Sequence, residues 1–146
     1  MTEDDRINRG LVCRYCGAET ELADSAEIYG RVVRCRRMRI CRRCGAYVSC
    51  HEGSDDAMGS VANAELRRLR HLAHEWFDPI WQYKLKRSRY NAYSWLSLRL
   101  GMNKNHVHMG LFDEEDCRWV IALSRRFIRQ YRPELYEQLS SRLAAE

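Results

Sequence analysis

At 146 residues the chain has room for one ordinary domain, or for a small module joined to a somewhat larger one. Its composition, 45% hydrophobic and 31% charged with a net charge of +5, is that of a globular protein, and the longest apolar run, Trp119 to Leu123, is far too short to span a membrane. The acidic, polar opening MTEDDRINRG has no signal-peptide pattern, so a reducing cytoplasm is expected.

The first third, to about Gly59, contains short β-type pieces at Ile28 to Val33, Met38 to Ile40 and Ala46 to Ser49, broken by glycine and charged turns. From Ser60 the period becomes helical. Leu66, Leu69, Ala73, Trp76, Phe77, Ile80 and Trp81 share one face, and Asp78 and Pro79 mark an end or a kink. A second helix is predicted from about Ser88 to a Gly101 cap, and a third behind Asp113, with acids in its first turn and Cys117, Val120, Ile121, Ser124, Phe127, Ile128 and Tyr131 at helical spacing. Pro133 opens a shorter helix carrying Leu135, Leu139 and Leu143. The expected fold is α+β: a small zinc-ribbon β module over residues 1–59, followed by a helical domain of three to four helices over residues 60–146.

Two knuckles, CRYCG at Cys13 to Gly17 and CRRCG at Cys41 to Gly45, use four of the seven cysteines. In a CxxC turn both thiolates reach one ion, and the following glycine lets backbone N–H groups point at the sulfurs. In an unsecreted chain such a doubled pattern indicates metal rather than a disulfide framework. Cys13, Cys16, Cys41 and Cys44 are therefore the expected zinc ligands. Four thiolates leave no open position, so the metal is expected to hold the fold and not to react. Cys35, Cys50 and His51 compete for ligand status, and the reading preferred for them is packing, Cys50 and His51 beside the second knuckle and Cys35 on the hairpin.

Charge is blocked along the chain. Arg31, Arg34, Arg36, Arg37, Arg39, Arg42 and Arg43 crowd one predicted hairpin, and Lys84, Lys86, Arg87 and Arg89 form a second block interleaved with tyrosines. Guanidinium forks favour phosphate, and tyrosines stack on bases, so DNA or RNA held through its backbone is the expected partner. An acidic protein surface is the other candidate. His71 and His74 lie one turn apart without an HExxH motif and are read as a solvated helix face. His106 and His108 precede Asp113, Glu114 and Asp116, a set with the residue types of a metal-dependent nuclease, but capping and the helix dipole already account for those acids. No catalytic residue is assigned, and the protein is expected not to be an enzyme.

Through CRYCG, RICRRCGAYVSCHEG, GSVANAELRRLRHLAHEWFDPIW, AYSWLSLRLG and HMGLFDEEDCRWVI, the chain resembles the zinc-finger-containing domain family of bacterial and bacteriophage genomes, over about residues 11 to 122. The resemblance implies a zinc ribbon with a helical extension, carried on a phage or mobile element, and it brings no catalytic residues. Cys35 and the arginine-dense RVVRCRRMRICRR depart from the family pattern. The function expected is a zinc-stabilised nucleic-acid-binding accessory protein. The alternative is an interaction or anti-defence factor, anti-CRISPR-like, that docks on a host or phage protein complex.

Overall fold

The computed structural model describes residues 1–31, 33 and 36–143. The chain divides into two compact units, Met1–Glu65 and Leu66–Glu146. The N-terminal unit opens with a short helix, α1 (Glu3–Asn8), that the sequence reading did not anticipate. Its signal was present as TEDD. Thr2 Oγ1 accepts from the Asp5 N–H and the Asp5 carboxylate accepts from the Thr2 N–H, each at 3.1 Å, a reciprocal cap that satisfies two otherwise unpaired donors.

After the first knuckle the chain runs through β1 (Glu21–Asp24) into α2 (Ser25–Tyr29), then β2 (Arg37–Ile40), the second knuckle and β3 (Tyr47–Ser49). These strands form an antiparallel sheet in the order β1-β2-β3. Met38 faces Ala23 on one side and Ser49 on the other, and both Met38 and Ala23 are buried. With a two-residue side-chain period, Arg37 and Arg39 fall on the opposite face. The expected strand at Ile28 is corrected: Ile28 lies in α2, which Gly30 ends in the left-handed conformation (φ 74°), its N–H donating to the Ala26 carbonyl. The strand lies earlier, in ELAD, whose mixed polarity gives no alternating signal.

The C-terminal unit is built from α3 (Ala64–Phe77), whose first two residues belong to the N-terminal unit, a single turn α4 (Pro79–Gln82), α5 (Arg89–Leu100), α6 (Glu114–Tyr131) and α7 (Pro133–Arg142). Helix α3 begins a few residues beyond the Ser60 expected, because residues around Ala62 pair in extended form with Tyr47. Leu66, Leu69, Ala73, Trp76, Phe77 and Ile80 are fully enclosed, as their spacing implied. Trp81 is only half-buried and donates its indole N–H to Asp78 at 3.3 Å.

Ser88 caps α5 by accepting the Asn91 N–H at 3.1 Å, and Gly101 ends it at φ 66°. Asp113 and Asp116 form the capping box of α6, whose inner face buries Cys117, Val120, Ile121, Ser124 and Ile128. Tyr131, counted in that stripe, is instead 58% exposed and stacks on Phe127. No helix among the described residues is long and apolar enough to cross a membrane.

Candidate metal centre and basic surfaces

The two knuckles are built alike. In the first, an antiparallel bridge joins Val12 to Glu19, the Cys13 N–H donates to the Ala18 carbonyl at 2.8 Å, and the Gly17 N–H returns to the Cys13 carbonyl at 2.9 Å. The second repeats this with Cys41 to Ala46 at 2.8 Å and Gly45 to Cys41 at 2.7 Å. Gly17 and Gly45 both sit at φ 77°, a left-handed conformation that a Cβ would strain, and each is thereby able to close its turn. Closure aims backbone donors at sulfur: Tyr15 N–H reaches Cys13 Sγ and Cys44 N–H reaches Cys41 Sγ, both at 3.4 Å.

The sulfurs of Cys13, Cys16, Cys41 and Cys44 all lie within 4.8 Å of one another, and Cys16 and Cys41 Sγ are 3.6 Å apart. A tetrahedral ion with zinc–sulfur bonds of about 2.3 Å requires sulfurs roughly 3.8 Å apart, so the donors stand at coordinating separation. Cys13 and Cys41 are enclosed with Ala46 and Val61, and Val48 and Ala18 pack against them.

As bare thiols the four are electrostatically crowded. The Ala18 backbone N–H, and then the Cys44 thiol, draw the Cys16 thiol down to about 7. Cys44, donating to Cys16, is pushed up to about 12, and burial raises Cys13. Such a cluster holds protons that a dication displaces, and an all-thiolate tetrahedral set is the donor chemistry of structural zinc. Bound there, zinc cross-links the two knuckles.

Cys50 lies outside this set: it is buried, its thiol donates to the Asp55 carbonyl at 3.5 Å, and burial raises its pKa. His51 is exposed. Cys35 lies outside the described residues, as does Arg34.

The described hairpin arginines fall into three sets. Arg37 pairs with Asp55 at 3.0 Å, and Arg42 bridges Glu27 and Glu21, the latter at 3.6 Å. Arg39 is half-buried and donates to the Thr20 carbonyl at 3.4 Å, and Arg36 is also half-buried. Arg31 and Arg43 are exposed, with no ion pair among the described residues. In the second block Lys84, Arg87 and Arg89 are exposed, and Lys86 sits half-buried over the Phe127 ring at 5.4 Å.

The histidines join no metal-ligating group among the described residues. His71 pairs with Glu75 and His74 with Asp78, each within one turn of the same helix. Asp113 and Asp116 are engaged with each other's backbone, while His106 and His108 are exposed. Two residues in the helical unit escaped the sequence reading. Tyr93 and Lys104 meet across a small cleft with Arg89 and Tyr90, although no local pattern links positions so far apart.

No curated protein and no solved structure matches the chain. A family model described as a zinc-finger-containing domain matches residues 9–127 of the 146, and both knuckles fall inside it. With four thiolates placed around one point and most of its length matched, the chain belongs to the zinc-finger-containing domain family, and its metal is zinc.

Proposed function

We propose that the chain is a non-enzymatic, zinc-stabilised nucleic-acid-binding accessory protein that grips phosphates from surface cations. The observation that carries this reading is a contrast between two sets of basic residues. Arg37 and Arg42 are neutralised by carboxylates, whereas Arg31, Arg43, Lys84, Arg87 and Arg89 are exposed with no ion pair among the described residues. Exposed cations without carboxylate partners favour a polyanion. A closed four-thiolate site with no open coordination position supports a structural metal. Service to a phage or mobile element is the part of this proposal that rests on the resemblance read from the sequence motifs alone.

Fluorescence anisotropy across a salt series tests the reading. Each neutralised phosphate contributes about −0.9 to the log-log slope on duplex DNA and about −0.7 on single strands. Arg31→Gln with Arg43→Gln should remove roughly 1.4 to 1.8 units of slope, and Arg37→Gln with Arg42→Gln distinctly less, at unchanged zinc content. An unchanged slope in the first pair overturns the phosphate grip.

A second reading, docking on a partner protein, draws on the exposure of Leu98 (83%) and Trp119 (56%) in the helical unit. It requires that Leu98→Ser and Trp119→Ala abolish partner capture from nuclease-treated lysate while the wild type binds oligonucleotides only weakly at physiological salt.

A further inference from the structure

A cleft of about 250 Å³ lies beside the first turn of α5, lined by Arg89, Tyr90, Tyr93, Lys104, Val107 and His108. Val107 is the buried apolar residue of this lining. The cations around it are held by rings and a hydroxyl. Arg89 lies over the Tyr93 ring at 4.9 Å, and the Lys104 ammonium sits 2.8 Å from the Tyr90 ring centroid while donating to Ser94 Oγ, also at 2.8 Å. Among the described residues no ion pair engages Arg89, Lys104 or His108. The carboxylate whose charge reaches Tyr93, Asp78, is itself engaged by the Trp81 indole at 3.3 Å and by His74 at 3.5 Å. Lys104 occupies one face of the Tyr90 ring, and Tyr90 nevertheless remains 70% exposed.

We propose that this cleft receives one unpaired nucleotide of a single strand, its base stacked on the face of Tyr90 that Lys104 leaves open and its phosphate among Arg89, Lys104 and His108. The assignment rests on the nucleic-acid reading above and adds a substrate form to it. Every base offers a π-face, but in a duplex that face is covered by its neighbours, so only an unpaired base can lie on a side-chain ring. Arginine and lysine already positioned on the rings need little ordering to meet a phosphate. The two cations without carboxylate partners, Arg89 and Lys104, supply the counter-charge that a phosphodiester requires, and His108 adds a hydrogen-bonding ring nitrogen. Stacking and charge are then separable, because the ring acts without altering salt dependence and the cations act through it.

The full-length, zinc-loaded protein is titrated by anisotropy with a labelled thymidine homopolymer and with the blunt duplex of the same length. Tyr90→Ala should weaken single-strand binding by about 5- to 100-fold with the salt slope unchanged and duplex binding untouched. Tyr90→Phe keeps the ring and should retain wild-type affinity. Lys104→Gln should reduce the single-strand slope by about 0.7. Because Tyr90 is exposed, unaltered zinc content and circular dichroism are expected in both tyrosine variants. If the wild type binds both oligonucleotides with a steep salt slope and Tyr90→Ala changes nothing, the cleft assignment is wrong while nucleic-acid binding stands. Equal loss on single strand and duplex also overturns it. Absence of salt-dependent binding to either probe removes the nucleic-acid reading and this site together.

Discussion

Replacing Cys44 by serine isolates coordination from packing, because Cys44 is the exposed ligand of the four and its side chain contributes little to the interior. The N-terminal unit has a slender core. Among its described residues, the enclosed apolar side chains larger than alanine, cysteines aside, are Val12, Met38 and Val61. At roughly 1.5 to 3 kcal/mol each, their burial supplies about 5 to 9 kcal/mol, against apparent binding free energies of about 10 to 16 kcal/mol for structural zinc in small modules. Zinc therefore contributes at least as much as these enclosed side chains, and a unit of this size is marginal without a cross-link. Cys44→Ser, or chelation of the wild type, should release zinc and expose the amides of Met38 to Ile40 and of Tyr47 to Ser49 to hydrogen exchange near unfolded-chain rates. The amides of α3 and α6 should remain protected, since Leu69, Trp76, Val120 and Ile128 are buried without recourse to the metal. Native mass spectrometry gives the stoichiometry, expected at one zinc per chain, and exchange mass spectrometry gives the local stability. A zinc-free protein whose β2 and β3 amides stay protected would refute the reasoning, as would full occupancy in the variant.

Cys50→Ser and His51→Ala should leave zinc content intact by the same mass measurement, because Cys50 donates to a carbonyl outside the cluster and His51 is exposed. Gly45→Ala should cost about 1 to 2 kcal/mol through its left-handed backbone alone, since a Cβ there meets nothing within 4 Å. Gly10→Ala should cost more in the same denaturation assay, because at φ +71° its Cβ would also stand 2.8 Å from Ala57 Cβ and 3.0 Å from the Gly59 carbonyl. Burial raises the Asp116 carboxyl above its usual 3.8, so the folded state holds this proton more readily than the unfolded one. Its contribution to stability should then improve as pH falls from neutrality through the raised value, and Asp116→Asn, which keeps an acceptor for the cap, should flatten that part of the pH profile. Cys117, enclosed and pushed up to about 12 by burial, should resist iodoacetamide until the helical unit unfolds, as followed by peptide mapping.

The metal ligands were legible because each knuckle is a local device: two thiols three residues apart and a glycine define one turn, whatever surrounds it. The helix ends at Ser88, Gly101 and Asp113 were legible for the same reason, as caps that act within a turn of the chain. The α1 cap was equally local, in Thr2 and Asp5, but lay in a stretch whose polarity drew attention to charge instead. Tertiary structure alone decided which arginines are occupied. Arg37 finds Asp55 and Arg42 finds Glu27 only once the sheet register and α2 set segments far apart in sequence side by side, and these pairings separate ion-paired arginines from the unpaired Arg31 and Arg43 within one basic block. It also decided the strand in ELAD, whose pairing with β2 overrides a weak intrinsic pattern, and the cleft that joins Tyr90 to Lys104. A window of sequence registers the spacing of neighbours along the backbone; the charge that meets another charge is fixed by where turns and registers return the chain.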